Sequence, residues 1–338
     1  MKIAVDAMGG DFGPRVVVEG AISAARELDV QVLLVGNKDL IREEFVRLGY
    51  KGPRLSIISA RESIHMSEAL LSFRRKKRSS IQVGMQLVKD GAADAFVSAG
   101  NTAAVVFLAT RVLGLTPGVD RPGLSILVPT LTGQTLLIDV GANINCTADH
   151  LEQFAVMGKN FMEHVYGVKN PRIGLMSVGE EKGKGSHITK DVYSRLSTSS
   201  LNFVGNVEGN DIYSGRADVI VSDGFTGNVA LKTSEGVVGS FVRMAKREIT
   251  RDLFAKIGYL LLKRNLKRVI KKMDYAEHGG AQLLGINGPC VVCHGRSNPV
   301  AMKNAIRVAR DFVASGVQAK IAEDISHLVV NRQEHEIQ

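Results

Sequence analysis

Short runs rich in valine, isoleucine and leucine alternate along the chain with longer stretches whose apolar positions recur every three or four residues. The runs predict strands at Ile3–Asp6, Val32–Val35, Leu55–Ile58, Ala95–Ser98, Leu124–Val128, Thr135–Val140, Arg172–Ser177, Phe203–Val207, Val219–Asp223, Leu283–Ile286 and Cys290–Cys293. The longer periodicity predicts helices at Arg15–Leu28, Lys38–Leu48, Ile81–Lys89, Thr102–Leu113, His150–Tyr166, Ile188–Leu196, Asn228–Lys246 and Val300–Ser315. Strands that are apolar along their whole length are covered on both faces. Their alternation with helices therefore predicts an α/β fold, a three-layer α/β/α architecture around a mostly parallel sheet. No linker, repeat or low-complexity tract divides residues 1–338, which read as a single α/β domain. The only compositional break is a basic, amphipathic helical insert at 247–280.

In open parallel sheets, ligands bind beyond the carboxyl ends of the strands. Here those ends read Asp6-Ala-Met-Gly-Gly-Asp11, Ser98-Ala-Gly-Asn-Thr102, Asp139-Val-Gly-Ala-Asn143, Ser177 to Ser186, Gly205 to Asp211, Asp223-Gly-Phe-Thr-Gly-Asn228 and His294-Gly-Arg-Ser-Asn298. Glycine lets a backbone approach a ligand closely, and the small polar neighbours supply hydrogen bonds. Along one edge of a parallel sheet, these loops predict an anion-binding cleft.

Three cysteines in 338 residues exclude a disulfide scaffold and fit a reducing compartment. The first residues turn acidic at Asp6 before any signal-peptide stretch develops. The apolar stretch Thr102–Leu115 is interrupted by Arg111 and is too short to span a bilayer. The expectation is a cytoplasmic protein without transmembrane helices. No dinucleotide fingerprint follows the first strand, the loop at 179–186 misses the spacing of a P-loop, and Ser98 lacks a nucleophile elbow. Cys290-Val-Val-Cys293-His294 matches a c-type haem attachment pattern, but residues three apart on a strand diverge to opposite faces, so both thiols read as core. No metal site is expected.

The net charge is +9, and Arg243–Lys272 alone holds eleven bases against two acids, so the remainder is balanced. Within this insert Leu253, Phe254, Ile257, Leu260 and Leu261 share one helical face, and Leu262, Leu266, Val269, Ile270 and Met273 a nearly opposite one. A reversal near Gly258–Lys263 would reunite them as two short helices. Tyr259, Leu260, Leu261 and Leu262 then form the tip, flanked by Lys263 and Arg264, and suit an anionic membrane surface. The alternative is that this face packs in a dimer interface. Nucleic acid is not expected as a partner, because the insert lacks interleaved aromatic residues.

At its glycine loops the sequence closely resembles the bacterial phosphate acyltransferase (PlsX) family, the acyl-ACP:phosphate transacylases. The matching stretches are MKIAVDAMGGDFGP at 1–14, VSAGNT at 97–102, DVGAN at 139–143, SVGEEKGKG at 177–185, GNVEGNDI at 205–212, DGFTGNVALKTSEG at 223–236, GGAQLLGING at 279–288 and HGRSN at 294–298. Ala103 and Ser186 depart from the family pattern, which carries glycine and asparagine there.

The resemblance implies transfer of a fatty acyl group from an acyl-carrier-protein thioester to inorganic phosphate. The product, acyl phosphate, feeds a membrane glycerol-3-phosphate acyltransferase in phospholipid synthesis. It also implies a fold similar to the isocitrate-dehydrogenase and phosphotransacetylase group, and a homodimer. Phosphate is itself the nucleophile in that reaction, so no cofactor is needed. Ser98, Gly100, Asn101 and Thr102, where a strand enters a helix, are assigned to phosphate, with a plain helix cap as the alternative for these side chains. Lys184 completes phosphate or oxyanion binding, unless it is only a solvated loop lysine. Asp139, Asn143, Asp223 and Asn228 orient the nucleophile or polarise the thioester. His294 protonates the departing sulfur, or else is a core histidine. The runner-up activity is phosphotransacetylase action on short acyl-CoA; a metal- and NAD-dependent dehydrogenase and a nucleic-acid scaffold stand further off.

Overall fold

The computed structural model describes residues 1–68, 70–249, 251, 253–273 and 279–336. The strands are β1 (Lys2–Asp6), β2 (Gln31–Gly36), β3 (Leu55–Ser59), β4 (Ala95–Ser98), β5 (Gly123–Pro129), β6 (Gln134–Ile138), β7 (Ile173–Met176), β8 (Phe203–Val207), β9 (Val219–Val221), β10 (Ala281–Leu284) and β11 (Cys290–Val292). The helices are α1 (Gly13–Glu27), α2 (Lys38–Arg47), α3 (Leu70–Arg75), α4 (Ser80–Lys89), α5 (Thr102–Val112), α6 (Ala148–Tyr166), α7 (His187–Thr198), α8 (Gly224–Ile249), α9 (Leu253–Met273), α10 (Pro299–Ser315) and α11 (Val317–Glu336). Side-chain caps set many helix starts, as at Asn37, Ser79, Asn101, Thr147, Ser186 and Asn298.

All the strands join one sheet in the order β3-β2-β1-β4-β11-β10-β5-β6-β9-β7-β8. Pairing is parallel except at three successive steps, β11/β10, β10/β5 and β5/β6. The mostly parallel, three-layer expectation therefore holds. An odd number of antiparallel steps, however, leaves β6, β9, β7 and β8 running opposite to β1–β4 and β11. The glycine loops consequently fall into two groups at opposite strand ends, not along one edge. A two-sided apolar strand reads the same in either direction, so the pattern carried no sign of this reversal.

One face of the sheet buries Phe96, Leu108, Leu137 and Ile220 under α4, α5 and the first turns of α8. The other buries Val5, Val97 and Ile306 under α1 and α10, and Ile138, Phe154 and Leu175 under α6, α7 and α11. Cys290 belongs to the first face and Cys293 to the second, as the spacing of three required. Helix α11 is absent from the sequence prediction. Gly316, at φ 62°, closes α10 and the chain restarts at once, burying Val317, Ile321 and Ile325 at helical spacing.

The insert corrects another expectation. Residues 253–273 form one uninterrupted helix, with no reversal near Gly258–Lys263. Leu260 to Arg264 are strong helix formers, and a lone glycine costs only about 1 kcal/mol, so nothing there ends the helix. Positions 250, 252 and 274–278 of the insert lie outside the described residues. Among the described residues, no helix is long and apolar enough to cross a membrane.

Candidate active site

Three loops interlock at the carboxyl ends of β1, β4 and β11. Asp6 ends β1 and is buried; the Ser98 hydroxyl donates to its Oδ2 (2.7 Å) and accepts the Gly100 N–H (2.9 Å). A Cβ on Gly9 would stand 2.6 Å from the Gly100 nitrogen and 2.7 Å from Asp6 Oδ2, so only glycine lets these loops touch. The Asp11 N–H donates to the Gly295 carbonyl (2.8 Å) and draws in the loop after β11. Burial pushes the Asp6 carboxyl above the usual carboxylate range, against hydrogen bonds that favour its anion.

Asn101 caps α5. Its Oδ1 accepts the Ala104 N–H (3.1 Å), while Nδ2 donates to the Met66 carbonyl (2.9 Å). Both polar atoms are engaged, so what the helix start offers an anion is the amides of Thr102 and Ala103 and the Thr102 hydroxyl. Beside them, His294 is exposed rather than a core residue, and its Nδ1 accepts the Arg296 N–H (3.1 Å). Arg296 Nε lies 3.9 Å from Asp11 Oδ2, and the adjacent Ser297 hydroxyl is buried with no partner among the described residues. Partial desolvation by the surrounding loops and the charge of Lys232 lower the His294 pKa, with Glu235 opposing. Helix α8 thus carries Lys232 and its partner Glu235 (2.8 Å) to this edge from the opposite strand ends.

The second group starts from Asp139 after β6. Its Oδ1 accepts N–H groups of Leu124, Gly141 and Ala142 (3.1, 3.0 and 2.9 Å), and Oδ2 accepts the Asn143 N–H and Nδ2 (2.7 and 2.8 Å). Asn143 Nδ2 also reaches the Pro122 carbonyl (2.7 Å). Burial raises the Asp139 carboxyl pKa against these bonds. Asp223 caps α8 through the Thr226 N–H and hydroxyl (2.8 and 2.7 Å), and the Gly224 N–H donates to the Asn143 carbonyl (2.8 Å). A side chain at Gly227 would run into the Asp139 carbonyl, and Asn228 lies over Gly141. The loop after β6 and the first turn of α8 thus lock together and fix the start of that helix. Lys184 is exposed in the loop after β7, at the same strand ends as this second group, and Asn206 ties that loop down through the Glu181 carbonyl (3.0 Å).

Asp6, Asp11, Arg296, Lys232 and Glu235 were missed as site residues, although all lie in the glycine-rich stretches singled out by sequence. Burial pushes the Cys146 thiol up to about 11 and those of Cys290 and Cys293 up to about 12, so none is a thiolate at neutral pH. Among the described residues, no cluster of His, Cys, Asp and Glu is arranged to hold a metal.

Residues 1–320 match the model of a family described as "Fatty acid synthesis protein". A phosphate acyltransferase of Trichlorobacter lovleyi is 47 % identical over 327 residues, covering 96 % of this chain and 95 % of the relative. One from Aquifex aeolicus is 44 % identical over 330 residues, covering 97 % and 98 %. The chain belongs to the phosphate acyltransferase family. Membership makes it an acyltransferase. Among solved structures it resembles a phosphotransacetylase from Streptococcus pyogenes, with TM-score 0.61 at 22 % identity over 92 % of this chain and 94 % of that one. This likeness speaks for the fold alone.

Proposed function

We propose that this enzyme moves a fatty acyl group from an acyl-carrier-protein thioester to inorganic phosphate, giving acyl phosphate. One observation carries the reading: the start of α5 offers amides to an anion at the edge where Arg296 and Lys232 act on His294, while every thiol is buried and protonated. Such a site binds a phosphate-sized anion and has no protein nucleophile of its own. A phosphate oxygen attacks the thioester carbonyl, a C–O bond forms, and collapse of the tetrahedral oxyanion breaks the C–S bond. The departing sulfur takes up the proton that the attacking hydrogen phosphate gives up, passed on by His294 or by water. Ser98 and Gly100 hold the loop, Thr102 contacts phosphate, and Asp139, Asn143, Asp223 and Asn228 position α8 with its Lys232. Lys184 approaches the oxyanion from its own loop.

The test measures phosphate-dependent release of thiol from long-chain acyl carrier protein, long-chain acyl-CoA and acetyl-CoA, with acyl phosphate trapped as hydroxamate. The reading expects a preference for the carrier-bound long chain. A preference for acetyl-CoA would make the enzyme a phosphotransacetylase.

The same reading places the enzyme in the cytoplasm, on the inner face of the membrane, as a homodimer that passes its product to a membrane glycerol-3-phosphate acyltransferase. Support comes from α8 and α9, where Phe241, Phe254 and Leu261 are 70 %, 87 % and 80 % exposed and Lys263 and Arg264 stand beside them. A single helix apolar on two sides needs two covers, which a second copy and an anionic lipid surface would supply. Leu261→Glu should leave an active dimer that no longer floats with anionic liposomes. Dissociation or unfolding, together with a wild type that never floats, would reassign this face to a protein interface.

A further inference from the structure

We propose that Arg74-Arg75-Lys76-Lys77-Arg78 is the docking surface for an acidic carrier protein that presents the acyl thioester. The proposal rests on the carrier-bound donor proposed above. These five consecutive bases escape a count of net charge, because acids elsewhere balance them. Arg74, Arg75, Lys77 and Arg78 are exposed, and among the described residues no carboxylate pairs with their side chains. The nearby acids serve the segment itself. Glu68 binds Lys76 (2.6 Å), and Glu62 accepts the Arg78 backbone N–H (2.9 Å).

Position makes the run relevant to the chemistry. The same segment carries the Met66 carbonyl that receives Asn101 Nδ2, and α3 packs on α5 with the Arg74 guanidinium 5.5 Å from the centre of the Phe107 ring. Phe107 is five residues beyond Thr102, about 8 Å along the helix. A partner seated on the basic run is therefore at the rim of the phosphate loops, within reach of a flexible arm. The segment is also held at both ends: Glu62 pairs with Ser79 as a β-bridge, and Lys76 Nζ donates to the Ser63 carbonyl (2.7 Å). The charges are presented by a fixed scaffold.

The chemistry of the surface selects the partner. Among the described residues around the run, Phe73 is buried, Phe107 lies beneath a guanidinium and Met66 is 43 % exposed, against the several exposed apolar side chains that α9 carries. Stable attachment to lipid takes burial of apolar side chains as well as charge. Stacking on nucleic-acid bases needs exposed aromatic rings. Cations without either suit an acidic protein surface, where charge speeds encounter and sets orientation.

The test uses the full-length enzyme with Arg75→Glu and Lys77→Glu combined. Initial rates are measured with an acyl-carrier thioester and with a carrier-free acyl-pantetheine, at roughly 0.01 M and roughly 1 M salt. The expected result is a fall of about tenfold or more in kcat/KM for the carrier donor at low salt. It should have little change in kcat, close at high salt, and leave the carrier-free donor unaffected. Equal losses with both donors would show a structural or catalytic role and overturn the proposal. So would an unchanged carrier rate, or loss of anionic-vesicle binding in its place. A wild type active on acyl-pantetheine but not on the carrier donor would instead defeat the donor reading itself, before any variant is compared.

Discussion

Replacing Asp139 by asparagine separates a brace from a catalytic group. The wild-type carboxylate accepts five hydrogen bonds from four residues while fully buried. An asparagine can keep its oxygen on the three-donor side, but its NH2 then faces the Asn143 N–H and Nδ2 across 2.7 and 2.8 Å. Two donors lose their acceptor and meet another donor. Each buried unsatisfied group costs about 1–3 kcal/mol, while removing a buried charge returns part of that sum. The unsatisfied pair dominates, for a net loss of about 3 kcal/mol. For a chain of this length each kcal/mol lowers Tm by about 2 °C, so a fall of about 6 °C is expected by calorimetry. Well below the transition, kcat/KM should drop less than tenfold, whereas loss of a general acid or base typically costs about 10²–10⁴. A variant with unchanged Tm and a hundredfold loss of activity would refute the brace and make Asp139 a catalytic residue.

Other outcomes follow from the same geometry. Asn101→Ala removes a cap worth about 1 kcal/mol and frees the Met66 carbonyl; it should raise the KM for phosphate, and Asn101→Asp, which keeps the cap but adds charge, should raise it further. Unchanged phosphate kinetics in both would remove the α5 start from the site. Lys184→Ala should also raise the phosphate KM, and an unchanged value would return Lys184 to solvent. His294, whose neutral form is favoured by partial desolvation and by Lys232, should titrate below its ordinary 6.5 by NMR, and Lys232→Met should move it up. Because the folded pKa is the lower one, its contribution to stability is complete above 6.5 and is lost as pH falls below it. Iodoacetamide should leave activity intact at neutral pH, since all three thiols stay protonated; rapid inactivation would contradict their burial.

The strands were legible because buried parallel strands need continuous apolar runs, and those runs are long enough to stand out. Strand direction was not, since it is decided by the hairpin between β5 and β6 and by β10 inserting between β11 and β5, neither of which alters the apolar pattern. The glycine loops were visible, but side-chain roles within them were not. Asp139 and Asp6 look like reactive carboxylates in a sequence, and only the hydrogen bonds reveal that both are held inside their loops. Arg296 was quoted within its motif yet passed over, because its importance depends on Asp11 arriving from the other end of the chain. Residues 74–78 were hidden differently: the excess at 243–272 accounted for the whole net charge and drew attention from a denser cluster.

The reversal in strand direction gives α8 a particular task. With the glycine loops at opposite strand ends, neither group alone combines the α5 amides with enough positive charge for a phosphate dianion. Helix α8 begins in the Asp139–Asn143 turn, fixed there by Asp223, by the Gly224 N–H and by the contact that excludes a side chain at Gly227. Two turns later, Ala230 and Leu231 lie on the sheet, and Lys232 and Glu235 enter the field of His294. A rigid helix whose first turn is clamped can hold Lys232 in place only if that clamp does not slip. The buried polar network around Asp139 is therefore best understood through what it does at the other end of the helix. It also explains why the continuation of α8 can expose Phe241 and Met244: the part that holds Lys232 and Glu235 is finished before them.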